Sequence, residues 1–279
     1  MDLYLGTHRP NWLTLTPSPP LMVSLNTLPK VKQYRAATPW FVDSGGFTEL
    51  QQHGKWRTTA TQHAERCAEV VERFGMVEWL SPQDWMCEPI VITGGRIPDG
   101  PSFVGTGLSV REHQERTVQN YLDLLALEPD LPWVPVLQGY ALDEYHDCAD
   151  LYAAADVDLA ACHRVGVGSV CRRQSMAEAV EIMRTLSERH LLLHGFGFKQ
   201  LGIAACWPYL TSVDSMAWSY NARYEGSKYG RTCARPNGRG GSVKSCANCR
   251  HYAMAWHQRT IAKLGPFQMS WAADRGGCE

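Results

Sequence analysis

Residues 133–155, WVPVLQGYALDEYHDCADLYAAA, hold one complete repeat of a fold. The apolar run Trp133–Leu137 has the length of a buried strand, Gln138 is the first polar side chain after it, and residues 142–155 return to the period of a helix. The same unit recurs in both directions. Further apolar runs lie at Leu3–Leu5, Leu21–Leu25, Trp40–Val42, Val77–Leu80, Arg164–Val167, Leu191–Leu193 and Leu210–Val213. Helical periods separate them at about 60–74, 109–127, 174–189 and 198–206, and Ser109 with Glu112 three residues on forms a capping box. Strands alternating with helices that cover both sheet faces predict a parallel sheet. About eight such units in some 220 residues predict an α/β fold of the closed (β/α)8, TIM-like barrel type, with an open doubly wound sheet as the alternative. Val91–Thr106, rich in Gly and Pro, is expected to be a mobile excursion.

Polar residues fall at one recurrent place. Asp43 ends PWFVD, Asp84 follows EWLSPQ, Gln138 ends VPVLQ, Ser169 ends VGVGS, His194 ends LLLH and Asp214 ends TSVD. In a parallel barrel these are the strand ends that converge on one face. Singly, each has a plain structural reading, an aspartate as a helix N-cap or a histidine as a hydrogen-bonded core residue; together they predict one shared site. In Asp43-Ser44-Gly45-Gly46-Phe47 the paired glycines permit close approach of a flat ligand, or simply make a turn. The segment TSVDSMAWSY, residues 211–220, brings a second carboxylate to the same face. Two carboxylates on one cavity suit glycosyl chemistry, one attacking the anomeric carbon while the other moves protons.

The 279 residues are 44% hydrophobic and 20% charged, which excludes a largely disordered chain. No apolar stretch approaches the roughly 18 residues that cross a bilayer, and the N-terminus MDLYLGTHRP lacks the features of a signal peptide, so a cytoplasmic protein without membrane contact is expected. The net charge of −1 conceals a split: residues 1–222 sum to −8 and residues 223–263 to +8. The basic residues Arg223, Lys228, Arg231, Arg235, Arg239, Lys244 and Arg250 are candidates for holding a nucleic acid, against the reading of a solvated surface. Two regions follow, 1–222 and a basic segment 223–279 packed on the barrel.

That basic segment contains Cys246-Ala247-Asn248-Cys249 before a helix at about 250–263. Two thiolates at this spacing can reach one ion, with Cys233 as a third ligand and His257, His251 or Cys278 as a fourth; structural zinc is favoured over a redox dithiol. Cysteines 67, 87, 148, 162, 171 and 206 read as small core residues.

The strings LYLGTHRPNW, FVDSGGFTEL, SPQDWMCEP, VPVLQGY, VGVGSVCRR, LHGFGFK, SVDSMAW and SCANCRHYA, in this order from Leu3 to Lys263, closely resemble the deazapurine DNA modification protein DpdA family, which is related to tRNA-guanine transglycosylases. The resemblance implies a (β/α)8 barrel with a C-terminal zinc-binding loop and helix. It also implies exchange of guanine in DNA for a 7-deazaguanine such as 7-cyano-7-deazaguanine. By motif position Asp214 resembles the nucleophile and Asp43 the general acid/base. Asp84 and Gln138 resemble readers of the base edge, and Gly166, Gly168 and Ser169 a strip beneath the base. Ser44, Gly45, Gly46, Gln83, Gly139, His194 and Gly195 are expected to line the pocket, with His8 and Arg9 as weaker candidates near sugar or phosphate. The implied partners are DNA, a 7-deazaguanine base and proteins that open the duplex, in a bacterial cell or a phage-infected host. The zinc motif departs from the tRNA enzymes: Lys244 stands where their first cysteine would be, and no histidine lies between Cys233 and Cys246. Alternatives are a tRNA-guanine transglycosylase, a DNA glycosylase that leaves abasic sites, and a non-catalytic, zinc-dependent nucleic-acid-binding module.

Overall fold

A computed structural model describes residues 1–30, 35–98, 100–170, 176–225 and 247–264. Its strands and helices alternate. The first half comprises β1 (Asp2–Thr7), β2 (Leu21–Ser24), β3 (Trp40–Asp43), α1 (Gly46–His53), α2 (Ala60–Phe74), β4 (Val77–Leu80), α3 (Pro89–Thr93), the short strands β5 (Gly95–Arg96) and β6 (Ser102–Phe103), and α4 (Val110–Leu127). The second half comprises β7 (Val136–Leu137), α5 (Leu142–Ala154), β8 (Val165–Val167), α6 (Met176–Ser187), β9 (Leu193–Gly195), α7 (Gln200–Cys206), β10 (Ser212–Ser215), α8 (Ala217–Glu225) and α9 (Arg250–Lys263).

Eight strands form one parallel sheet in the order β4-β3-β2-β1-β10-β9-β8-β7. Chain neighbours are sheet neighbours throughout, and the first and last of these strands lie side by side, with Tyr4 in register with Asp214. A doubly wound sheet would reverse its order partway; this one winds in a single sense and curls. Its outer strands meet through a parallel bridge between Leu80 and Trp133, where Leu80 N donates to Pro132 O at 2.9 Å and Val134 N to Leu80 O at 3.2 Å. The result is a barrel-like sheet. Pro135 has no N–H to contribute, which explains why the ladder of this segment is regular only at Val136–Leu137 rather than across the whole apolar run.

The pleat sorts the side chains into two cores. Leu3, Leu5, Leu21, Val23, Trp40 and Val42 join the main core with residues of the surrounding helices. Tyr4, Phe41, Trp79 and Val134, alternating with them, make a separate cluster with Met22 and Phe196 at its edge. This second cluster fills the inside of the curl. Phe41 and Trp79 stack at 3.7 Å with an 11° tilt, and Tyr4 meets both rings edge-on.

The helix starts follow local chemistry. Ser109 and Glu112 form the expected capping box on α4, and Thr59 with Gln62 forms a second on α2. The excursion after β4 is more ordered than its glycines and prolines predict. β5 and β6 pair as an antiparallel ribbon, and Val91 and Phe103 pack with Leu50 and Trp85 in a third core. α8 runs across the boundary at residue 222, and its Trp218 Nε1 donates to Gly6 O at 2.8 Å. α9 buries Tyr252, Ala253 and Trp256, and His257 Nε2 lies 2.9 Å from Leu3 O. Among the described residues, no helix is long and apolar enough to cross a membrane.

Candidate active site

A cavity of about 180 Å³ opens at the C-terminal ends of the strands. Five of the six strand-end residues line it: Asp43, Asp84, Gln138, Ser169 and Asp214. The sixth, His194, is fully buried behind Asp214.

The three carboxylates share an environment but not partners. Asp43 Oδ2 accepts from Gly45 N at 3.1 Å. Burial, and then the charge of Asp214, push its pKa up to about 6, against the opposing hydrogen bonds from Ser24 and Gly45. Gly45 caps α1 in a left-handed conformation with φ of 81°, and a Cβ there would come within 2.2 Å of the Asn26 amide. Asp84 Oδ1 accepts from Ser44 Oγ at 3.3 Å and its Oδ2 accepts from the Gln138 amide. Burial and the charge of Asp43 raise it to about 7. Asp214 Oδ1 accepts from Gly197 N at 3.0 Å, and His194 Nε2 lies 3.3 Å from the same oxygen. Its pKa is also raised to about 7, by burial. Like charges this close in a poorly hydrated pocket do not ionise independently, so the group as a whole exchanges protons near neutral pH.

Gln138 is fixed from both sides, because its Oε1 lies 2.7 Å from Ser169 Oγ while its NH2 serves Asp84. Ser169 has a φ of 55°, unusual for a residue with a side chain. Its hydroxyl accepts from Cys87 N at 2.7 Å and lies 2.8 Å from Glu88 Oε2. The result is a planar-donor and acceptor edge along one wall, with apolar Met22, Phe47, Met86 and Phe196 supplying flat surface elsewhere.

Other expected pocket residues sort into two groups. Ser44, Gly46 and Gly168 line the cavity. Gln83 turns away, donating to Thr58 and bonding Asn120. Gly139 admits the backbone of α5 at Tyr145, Gly195 admits the Phe198 ring, and Gly166 makes room for Phe196, whose ring would sit 2.5 Å from a Cβ there. His8 stands in the fields of both Arg223 and Asp43, which places it near the mouth, and burial with Arg223 lowers its pKa. Arg9 donates its backbone N–H to Thr7 Oγ1. Glu88, Phe196 and Gly197 line the cavity without having been expected: they come from loops, where no periodicity marks them.

Of the basic residues, Arg223 is exposed on α8, and Arg250 uses Nη2 on Pro17 O. Lys228, Arg231, Arg235, Arg239 and Lys244 lie outside the described residues, as do Cys233, Cys246 and Cys278. Cys249 is a free, half-buried thiol at the N-cap of α9. His251 is exposed, and His257 has one ring nitrogen engaged with Leu3 O. Among the described residues, no three His, Cys, Asp or Glu side chains cluster as a metal site. Cys67, Cys87, Cys148 and Cys206 are buried as ordinary core residues. A larger open hollow of about 440 Å³ beside α5, lined by Asp156, Asp158 and Arg189, holds none of the candidate residues.

The fold and site together define a barrel-like α/β protein with three buried carboxylates of raised pKa around a small cavity at the strand ends. The chain belongs to the DpdA family, described as DeoxyPurine in DNA protein A, whose profile matches residues 1–275. Membership implies involvement in deazapurine modification of DNA. No protein of curated function matches the chain. Among solved structures it is similar to the carboxyl transferase domain of Rhizobium etli pyruvate carboxylase with 3-hydroxypyruvate, at 11% identity and a TM-score of 0.32, covering 81% of this chain and 40% of that one. A variant of the same enzyme with the allosteric activator acetyl coenzyme-A matches at 11% identity and a TM-score of 0.31, covering 81% of this chain and 21% of that one. Likeness of that degree says nothing of chemistry.

Proposed function

We propose that this chain is a DNA-guanine transglycosylase that exchanges guanine for a 7-deazaguanine, such as 7-cyano-7-deazaguanine, through a covalent deoxyribosyl-aspartyl intermediate. The observation that carries this reading is the placement of Asp214 and Asp43 on one cavity whose wall is the Asp84–Gln138–Ser169 edge. A target deoxyguanosine leaves the base stack, which costs a few kcal/mol, and phosphate contacts from the basic segment offset this. Asp214 attacks the anomeric carbon as guanine departs with a proton from Asp43, forming the ester bond as the glycosidic bond breaks. The incoming base loses its N9 proton to Asp43 and attacks the same carbon, releasing Asp214. Two inversions give net retention. Asp84, as a carboxylate, accepts from the N1–H and 2-amino groups of a guanine-type base, which adenine does not offer.

In this reading Cys233, Cys246 and Cys249, with His257, His251 or Cys278 as the fourth ligand, would hold a structural zinc ion that fixes the basic loop. Arg223, Lys228, Arg231, Arg235, Arg239, Lys244 and Arg250 then meet phosphates, and the protein works in the cytoplasm on DNA opened by partner proteins. Incubation with labelled guanine and either plasmid DNA or tRNA tests the proposal. Label is expected in DNA; label confined to tRNA would assign the chain to the tRNA reaction instead. Label in neither, with DNA still bound, would leave the non-catalytic binding module.

A further inference from the structure

His194 was expected on the pocket wall, yet it lies in the interior of the curl among the rings of Tyr4, Phe41, Trp79 and Phe196, at centroid distances between 4.7 and 5.9 Å. A polar side chain so enclosed needs partners. It has one at each nitrogen: Ser212 Oγ is 2.8 Å from Nδ1, and Asp214 Oδ1 is 3.3 Å from Nε2. Ser212 in turn accepts from the guanidinium of Arg164. Arg164 lies over the Tyr4 and Trp79 rings and 3.8 Å from Asp2, at the opposite end of the barrel from the cavity.

The chemistry of the donors gives this line a direction. Arginine only donates, so Ser212 Oγ accepts from it and keeps its single hydrogen free to go to His194 Nδ1. Burial and the nearby Arg164 charge oppose an imidazolium, so the ring carries one proton. With the serine hydrogen donated to Nδ1, that proton sits on Nε2 and points at Asp214 Oδ1. Gly197 N–H donates to the same oxygen. The contacts from His194 and Gly197 thus both fall on Oδ1, and Oδ2 is the oxygen left for the cavity.

We propose that Arg164, Ser212 and His194 form a one-way hydrogen-bond line through the barrel that favours the ionised form of Asp214 against its burial and presents Oδ2 as its attacking oxygen. These are positioning residues; none touches the substrate. The proposal rests on Asp214 as nucleophile. With Ser212 removed, the ring is free to turn its lone pair toward Asp214, which then shares a proton with Nε2 and stops attacking. The other titratable or charged groups around the line and its target are Asp2, Tyr4 and His8 from β1 and the turn after it, Asp43 from β3, Glu78 from β4, Asp84 after β4, His163 before β8 and Arg223 from α8.

Two measurements on the whole protein test this. In nitrogen-15 NMR, with the His194 signals identified by their loss in His194→Gln, wild type is expected to show a protonated Nε2 and a bare Nδ1 from pH 6 to 8. In base exchange at saturating DNA and base, Ser212→Ala is expected to lower kcat about tenfold with KM unchanged. The acid limb of its pH profile should move up by about one unit, and Ser212→Thr, which keeps the hydroxyl, should restore both. A protonated Nδ1 in wild type, or an unmoved acid limb in Ser212→Ala, overturns the proposal. If wild type exchanges no base, the transglycosylase reading falls by itself, and the nitrogen shifts still decide whether the line runs as described.

Discussion

Gln138 donates its side-chain amide to Oδ2 of Asp84, joining the end of β7 to the segment after β4 above the place where the curled sheet meets itself through one bridge. One contact therefore serves both the site and the seam. Replacing Gln138 with Ala removes the donor that opposes the raised pKa of Asp84. At pH 7 the fraction of Asp84 able to accept from a guanine-type base falls, so KM for the free base is expected to rise about tenfold with a smaller change in kcat. Stability is expected to drop by roughly 1–2 kcal/mol, as for a buried polar group left without its partner. Steady-state kinetics and urea unfolding measure the two effects.

Asp214→Ala is expected to abolish exchange while DNA binding persists within a few fold, because the proposed phosphate contacts lie in the basic segment and not at the strand end. A gel-shift titration beside the labelled-guanine assay checks this, and retained exchange would remove Asp214 from the nucleophile role.

The buried carboxylates have a measurable cost. Asp43, Asp84 and Asp214 all move up from an ordinary 3.8, to about 6, 7 and 7. The folded state then holds protons that the unfolded chain has already released, so their contribution is fully present below about pH 4 and is lost as pH rises through 6 to 7. Asp214→Asn, which cannot ionise, is expected to stabilise the protein by roughly 1–3 kcal/mol at pH 8 and by almost nothing at pH 4. Denaturant unfolding of both proteins across that range gives the answer, and equal effects at the two pH values would contradict the assigned shifts.

Removal of zinc by a chelator is expected to weaken DNA binding far more than it slows exchange on DNA already bound, if the ion only shapes the basic loop. Binding at several salt concentrations extends the test: loss of the loop should also flatten the salt dependence, since fewer phosphates are neutralised. Equal loss of binding and of single-turnover rate would argue against a purely structural ion.

Much of the frame is legible in the linear sequence. Val77–Leu80 and the helix at 60–74 emerge with the bounds their periodicity predicts. Asp43, Asp84, Gln138, Ser169 and Asp214 meet because parallel strands deliver their following residues to one face. The exceptions have physical causes. α1 and α3 are too short to show a period, and α1 starts at a glycine. His194 sits within β9 rather than beyond it, so the pleat sends it into the barrel. Gln83 follows Pro82 in a turn that directs it to Thr58. Ser212 and Arg164 lie at the starts of β10 and β8, where the usual rule looks for stability and not for function, and only the three-dimensional path connects them to Asp214.

The stacked pair Phe41 and Trp79, with Tyr4 against them, closes the barrel beneath the cavity. Among the described residues, these rings form the floor of the cavity. Under the proposed chemistry the departing guanine and its replacement use the same Asp84–Gln138 edge, so the two bases occupy it one after the other. Exchange must then take turns, with the enzyme waiting in its sugar-bound form between one base leaving and the next arriving, and any delay in that interval exposes the ester to water.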